Sequence, residues 1–168
     1  LILKEQWISA HNKRAEIIQN QCEQLSILSE NSLRATLGIG KGTESLNSSL
    51  RSILTGSGIR KDKIESICSF VSNSADPIFE WQELLNEFEL LALFDVENDS
   101  SENFPPTPKL VSIGFGSNDL RKMAEKINTN NFVDLFITQL DDIPFFEYKT
   151  KESEYIEFTD ASAGQQAT

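Results

Sequence analysis

The sequence predicts a mainly helical α+β fold, and three observations carry this prediction. Residues 3–30 contain neither Gly nor Pro, which favours one long helix. Several later segments repeat apolar residues at spacings of three and four, and Gly56-Ser57-Gly58 and Asp76-Pro77 mark boundaries between some of them. Two short runs near the C-terminus instead alternate apolar and polar residues, which indicates a β-hairpin.

The first segment, residues 1–31, is predicted to be the root of a coiled coil. A stripe at spacings of three and four runs along it, interrupted by one histidine and one arginine. Such a helix needs a second helix of similar length, and the sequence offers none, so we expect the partner to lie outside this chain. The stripe consists of Trp7, His11, Arg14, Ile18, Cys22, Leu25 and Leu28.

Residues 32–94 are predicted to form a helical subdomain with one short strand. The strand covers Ser32 to Ile39, and the glycines that follow it are expected to form a flexible turn at Gly38, Gly40 and Gly42. Three helices follow, because each has a start signal and an apolar face. The first begins near Thr43 and has an apolar face of Leu46, Leu50, Ile53 and Leu54. The second begins near Lys61, with Ile64, Ile67, Cys68 and Val71 facing inward. The third begins at Asp76-Pro77, and its apolar residues are Phe79, Trp81, Leu84, Leu85, Phe88, Leu91 and Leu93.

The last part of the chain begins with an acidic, proline-rich stretch at residues 95–108, which is predicted to be an exposed loop. Residues 109–168 follow as a separate region. It is predicted to contain a strand or extended connector, two helices, the hairpin and the start of a further helix. Their ranges are Lys109–Phe115, Ser117–Ile127, Asn131–Leu140, Pro144–Lys149 with Glu154–Phe158, and the turn from Thr159 onward.

The charge balance limits the classes of partner. The net charge of −11 repels phosphate backbones, so this chain is not expected to be a primary nucleic-acid-binding surface. The run Arg60-Lys61-Asp62-Lys63 is interpreted as a solvated turn before a helix. The chain contains no apolar run of about 18 residues, so no membrane span is expected. Cys22 and Cys68 are typical of buried free thiols in a reducing cytoplasm, although one disulfide stays open as an alternative.

The run Asp160-Ala161-Ser162-Ala163-Gly164-Gln165-Gln166 is the strongest functional signal. It follows the predicted hairpin and opens a predicted helix. A helix N-terminus offers unpaired N–H groups and a positive dipole end, which suit a phosphate. Ser162 adds a hydroxyl donor, and Gly164 lets a phosphate approach the backbone. The plainer alternative is a helix cap, from Asp160 or Ser162, with no ligand.

This run resembles the signature motif, Leu-Ser-Gly-Gly-Gln, of ABC ATPases. A long helix before a small domain, a hairpin and such a motif is similar to the signature half of an SMC-like ATPase head. The stretch from Tyr155 to Gln166 is also similar to the TrlF-like group of bacterial ATPases, which carry a PHP phosphoesterase domain and several of which act in anti-phage defence. The sequence departs from the motif at Ala161, for Leu, and at Ala163, for the first Gly.

The resemblance implies that Ser162, Ala163, Gly164 and Gln165 contact ATP in trans, with Ser162 and Gly164 on its γ-phosphate. ATP and Mg²⁺ would then be bound by the complete assembly, through the Walker A half of the same protein and a second subunit. A dimer driven by sandwiched ATP would couple hydrolysis to an effector activity. The resemblance also implies a fragment that cannot hydrolyse ATP alone, since the Walker B acids and the switch His would follow Thr168.

Other motifs favour structural interpretations. Gly38 to Thr43 is not a Walker A loop, because Gly42 follows Lys41 and Ala35 stands where a glycine is needed. Gly114 to Asp119 lacks the third glycine of a dinucleotide fingerprint. His11, the only histidine, is expected to pack. The carboxylate pairs Asp141/Asp142 and Glu87/Glu89 are expected on solvated faces or as caps. A stripe of Phe79, Trp81, Leu84 and Phe88 is expected in the core, or on a protein-interaction module with no nucleotide role.

Overall fold

The chain folds as an α+β protein that is mostly helical. The computed structural model describes residues 2–96, 104–150 and 154–158, and the side chains within them except those of residues 2–8, 11 and 12. Seven helices and one three-stranded sheet lie in these ranges. In chain order they are α1 (Ile2–Leu28), β1 (Leu33–Gly42), α2 (Glu44–Ile53), α3 (Lys61–Asn73), α4 (Pro77–Leu93), α5 (Pro108–Ile113), α6 (Ser117–Lys126), α7 (Thr129–Ile137), β2 (Asp141–Lys149) and β3 (Tyr155–Glu157).

The chain divides into two compact units, one of Leu1–Ile39 with Asp142–Thr168 and one of Gly40–Asp141. We call these the hairpin unit and the helical unit. The hairpin unit contains α1, β1 up to Ile39, β2 from Asp142 onward, and β3. The strands of the sheet lie in the order β1-β2-β3. The helical unit contains α2 to α7.

The helical unit has a large apolar core. The sequence predicted the starts of α2, α3, α4 and α6. Asp76 caps α4 by accepting the N–H of Phe79 at 3.0 Å. Pro77 occupies the first turn of α4, where its missing N–H costs nothing. The buried core residues come from α2 to α7 and their connections. The largest fully buried side chains are Trp81, Phe88, Leu46, Leu50, Ile67, Leu84, Leu91, Leu110, Met123, Ile127, Leu135 and Leu140.

The predicted glycine turn is wrong, since Gly38, Gly40 and Gly42 all lie within β1. Gly40 has a φ of +63°, which favours glycine, and a Cβ there would lie 2.9 Å from the Cδ1 atom of Ile78. At Gly42 a Cβ would lie 2.7 Å from the Cβ of Asp141. These glycines therefore permit close packing against β1 rather than a turn.

The segment Lys109–Phe115 is helical for most of its length, so the predicted strand or connector is wrong. α5 starts at Pro108, and the carboxylate of Glu87 accepts the N–H of Lys109 at 2.8 Å and that of Leu110 at 3.0 Å. These bonds satisfy two N–H groups that a short helix would otherwise leave unpaired. Because Glu87 lies on α4, the capping signal is distant in sequence.

The long helix α1 confirms the predicted N-terminal helix, with a length of about 40 Å. The expected coiled-coil stripe does not match the buried face. Ala15 and Cys22 are buried and Ile18 is half-buried, whereas Leu25 and Leu28 are 46% and 81% exposed. The side chains of Trp7 and His11, and the helix expected after Thr159, lie outside the part that the structure describes.

Candidate functional site

The four predicted signature residues, Ser162, Ala163, Gly164 and Gln165, lie outside the described residues, which end at Phe158. The hairpin that leads to them is described, and it confirms the predicted strand pair. β2 and β3 are antiparallel, with Glu147 opposite Glu157, Tyr148 opposite Ile156 and Lys149 opposite Tyr155. The N–H of Thr150 donates to the carbonyl of Glu154 at 2.7 Å, which closes the hairpin.

Arg34 links all three strands on one face of the sheet. Its guanidinium carbon lies 3.8 Å from the ring centroid of Tyr155 on β3. Its Nη1 atom lies 3.3 Å from Oε2 of Glu147 on β2. A planar guanidinium can stack on a ring and donate in its own plane at the same time. We call Arg34, Glu147 and Tyr155 the arginine cluster.

The hairpin is also fastened to the connection between α1 and β1. The hydroxyl of Tyr155 donates to the carbonyl of Asn31 at 2.8 Å, and the N–H of Lys149 donates to that of Ser32 at 2.8 Å. Glu30 and Asn31 have φ of 52° and 60°, which places both in the left-handed region. Two bonds from the hairpin therefore end on the tight turn that closes α1.

Serine side chains join the last turns of α1 to β1. Ser26 Oγ donates to the carbonyl of Cys22 at 3.1 Å and accepts the N–H of Ala35 at 3.0 Å. Ser29 Oγ accepts the N–H of Leu33 at 3.1 Å. Side-chain bonds of this kind satisfy backbone groups that helix and strand ends leave unpaired. The end of α1, β1 and the hairpin thus form one hydrogen-bonded assembly in the hairpin unit.

No protein-family model, curated protein or solved structure matches this chain. The candidate site thus consists of the signature-like residues, which are known from the sequence, and of the hairpin that precedes them in the chain. Within residues 2–96, 104–150 and 154–158, no helix is long and apolar enough to cross a membrane. The same residues contain no cluster of three or more His, Cys, Asp or Glu arranged to hold a metal ion.

Two of the grooves on the described surface of the helical unit have volumes of about 660 and 530 Å³. The larger is lined by three acidic residues, each of which has a basic partner. Glu65 lies 2.6 Å from Arg51, Asp62 lies 3.1 Å from Arg60, and Glu80 lies 2.6 Å from Lys109. The three carboxylates of this groove are therefore all held in ion pairs. The smaller groove is lined mainly by serines of α2 and by α7.

The basic run at Arg60 to Lys63 is largely neutralised by neighbouring acids. Arg60 pairs with Asp62, and Lys63 pairs with Asp119 on α6. The hydrogen bond from Lys63 holds the pKa of Asp119 below its ordinary value, against a smaller effect of desolvation. The Lys63 Nζ also donates to the carbonyl of Gly114 at 3.1 Å. Two of its three cations are therefore engaged in structural pairs.

The two glycine-containing segments that do not fit a phosphate-binding loop, Gly38 to Thr43 and Gly114 to Asp119, have structural roles. Lys41, on β1, donates from Nζ to the carbonyl of Ser74 at 2.7 Å. Gly114 ends α5 with a φ of +110°, and Gly116 precedes α6, where its N–H donates to Asp119 at 3.3 Å. Phe115 between them is 2% exposed. The helix start predicted at Ser117 is confirmed.

The two carboxylate pairs have separate environments rather than acting as acid–base pairs. Glu87 is 6% exposed and caps α5, whereas Glu89 is exposed. Asp141 is exposed, but the side chain of Asp142 is fully buried, 4.0 Å from Nε of Arg14, so a solvated face is wrong for Asp142. The burial of Glu87 was signalled by its position three residues after Leu84 and four before Leu91, on the apolar face of α4.

The aromatic residues of α4 belong mostly to the core. Trp81 and Phe88 are 1% and 0% exposed, with ring centroids 6.0 Å apart. Phe79 is 52% exposed and therefore not in the core. Cys22 and Cys68 are buried and free, so they form no disulfide, and burial raises the pKa of the Cys68 thiol.

Proposed function

We propose that this chain supplies the signature motif of an SMC-like ABC ATPase. In this function Ser162 and Gly164 contact the γ-phosphate of ATP that is bound by the Walker A half of a second subunit, with Ala163 and Gln165 shaping the same loop. The observation that best supports this proposal is the run Asp160 to Gln166, which begins three residues after Glu157, the last residue of the antiparallel hairpin. A hairpin followed by a phosphate-binding turn is the context that the resemblance implies.

The whole protein would bind ATP and Mg²⁺, dimerise when ATP is sandwiched between its heads, and couple hydrolysis to an effector. A PHP phosphoesterase domain and a role in anti-phage defence are part of this proposal. The site would act in the cytoplasm, where ATP is available and the free thiols of Cys22 and Cys68 stay reduced. With a net charge of −11, this chain is not the surface through which such a protein would bind nucleic acid.

Replacing Ser162 with Arg in the full-length protein tests the proposal. We expect ATP hydrolysis to be lost, because the larger cation blocks the phosphate contact, while ATP binding to the Walker A half is retained. Steady-state turnover and equilibrium nucleotide binding measure the two effects. Ser69→Arg is the matched control, since Ser69 is exposed on α3 in the helical unit. Normal turnover in the Ser162→Arg protein would reject the trans contact.

A second function, as a helical protein-interaction module without a nucleotide, is favoured by the apolar surface of α1. Among the described side chains of α1, four large apolar ones are exposed, namely Ile17 at 53%, Leu25 at 46%, Ile27 at 70% and Leu28 at 81%. Apolar side chains spaced along one helix favour contact with another protein surface. This function predicts that Ser162→Arg leaves partner binding unchanged, whereas Leu25→Lys with Leu28→Lys abolishes it.

A further inference from the structure

The smaller groove of the helical unit lies between α2 and α7, and we call it the serine groove. The side chains that α2 contributes are mostly small, and they recur at spacings of three and four, which places them on one face of the helix. Where side chains are small, the axis of another helix can approach closely. The groove therefore suits an occupant as wide as a helix. The serines are Ser45, Ser48, Ser49 and Ser52.

The α7 side of the serine groove is apolar and open to solvent. Ile137 lines the groove and is 63% exposed, and Val133 is 52% exposed. These two residues are four positions apart, so they lie on the same face of α7. Ile53 of α2, which is half-buried, adds a further apolar side chain to the lining. A partner that covers this side would remove adjacent apolar surface from water.

A hydrogen bond joins the two helices at the serine groove. Oγ1 of Thr138, at the end of α7, lies 2.9 Å from Oγ of Ser49 on α2, and it donates to the carbonyl of Asp134 at 2.7 Å. Thr138 is buried. These bonds hold the end of α7 against α2, so the groove is formed before any partner arrives, as ligand-binding clefts usually are.

The charges along the serine groove favour a cationic partner. Asp134 lines the groove and is exposed, and Glu44 is exposed one residue before Ser45. Neither carboxylate forms an ion pair with another described residue, in contrast to the three carboxylates of the larger groove. No lysine or arginine is among the described residues that line the serine groove. With a chain net charge of −11, these two carboxylates attract a basic surface and disfavour an acidic one.

We propose that the serine groove is a docking site for a basic, amphipathic helix of another protein. α2 has ten residues and α7 has nine, so a helix of about three turns, or about 15 Å, spans the groove. Its apolar side chains, spaced by three and four, would contact Val133 and Ile137, and its lysines or arginines would lie beside Asp134. This interaction uses the helical unit alone, so it goes beyond the function proposed above and does not depend on it.

The test measures binding of a synthetic peptide to the full-length protein by fluorescence anisotropy. The probe is a labelled peptide of about 15 residues, composed of leucine and lysine with the leucines on one helical face. We expect it to bind the wild type, and Ile137→Ser to raise its Kd by about tenfold or more, because an anchoring apolar contact is lost. Asp134→Asn should raise the Kd by about two- to fivefold and lessen its dependence on salt. An analogue with glutamate in place of lysine should not bind.

Matched variants separate the serine groove from other apolar surfaces of the chain. Val111→Ser removes a side chain of similar exposure, 56%, from α5, and Leu28→Ser removes one from α1. Both should bind the peptide as the wild type does, and since Ile137 is exposed, Ile137→Ser should keep the wild-type melting temperature. Absence of binding to the wild type would overturn the proposal, as would an unchanged Kd in Ile137→Ser. Loss of binding in Leu28→Ser but not in Ile137→Ser would place the peptide on α1 and reject the serine groove.

Discussion

The interactions that stabilise the helical unit internally differ from those that stabilise the hairpin unit internally. The helical unit buries large apolar side chains from α2 to α7, including Trp81 and Phe88. In the described part of the hairpin unit, the apolar residues that are buried are all small: Ala15, Cys22 and Ala35. Its order depends instead on hydrogen bonds from Ser26, Ser29 and Tyr155 to the backbone. The helical unit therefore has the core of a self-sufficient fold, while α1 still exposes the apolar surface that another element could cover.

The largest expected effect is in the helical core. Phe88→Ala removes a side chain that is 0% exposed, and it should lower the free energy of unfolding by about 3–5 kcal/mol through lost burial and a cavity. Phe79→Ala on the same helix, at a side chain that is 52% exposed, should change it by about 0.5 kcal/mol. Urea unfolding followed by circular dichroism measures both. Equal losses in the two variants would mean that burial does not distinguish these positions.

A smaller effect is expected in the hairpin unit. Ser26→Ala leaves the buried N–H of Ala35 without its acceptor and should cost about 1 kcal/mol. Hydrogen exchange at the Ala35 amide should become faster by a matching factor. Ser66→Ala is the control, because Ser66 also bonds to the carbonyl four residues earlier, at 2.8 Å, but is exposed on α3. Unchanged protection of Ala35 would show that polar bonds do not hold α1 on β1.

The elements that were predicted correctly are those whose sequence signals lie within the element itself. The pair Asp76-Pro77 marked the start of α4, and the spacing of Ile64, Ile67, Cys68 and Val71 marked the buried face of α3. Both signals act within one helix, so they can be read without knowing the rest of the fold. The alternating runs of the hairpin were equally local, and the antiparallel pairing of β2 with β3 confirms them.

Elements that depend on distant residues were missed. α5 needs the carboxylate of Glu87, which lies 22 residues before Lys109 in the chain. β1 extends through Gly40, where the missing Cβ leaves room for Ile78, which lies 38 residues later in the chain. At the candidate site, the two strands that precede Ser162 could be predicted. The contact of Arg34 with Tyr155 could not, because neither residue carries a local signal for the other.

The central claim, that Ser162 and Gly164 act on ATP held by a second subunit, is tested most directly by mixing two inactive full-length proteins. One carries Ser162→Arg, and the other carries a replacement of its Walker A lysine. A mixed dimer would contain one intact composite site, formed by the Walker A half of the first protein and the signature residues of the second. We predict that ATP hydrolysis reappears on mixing. Formation of the mixed dimer without any recovery of hydrolysis would contradict the claim.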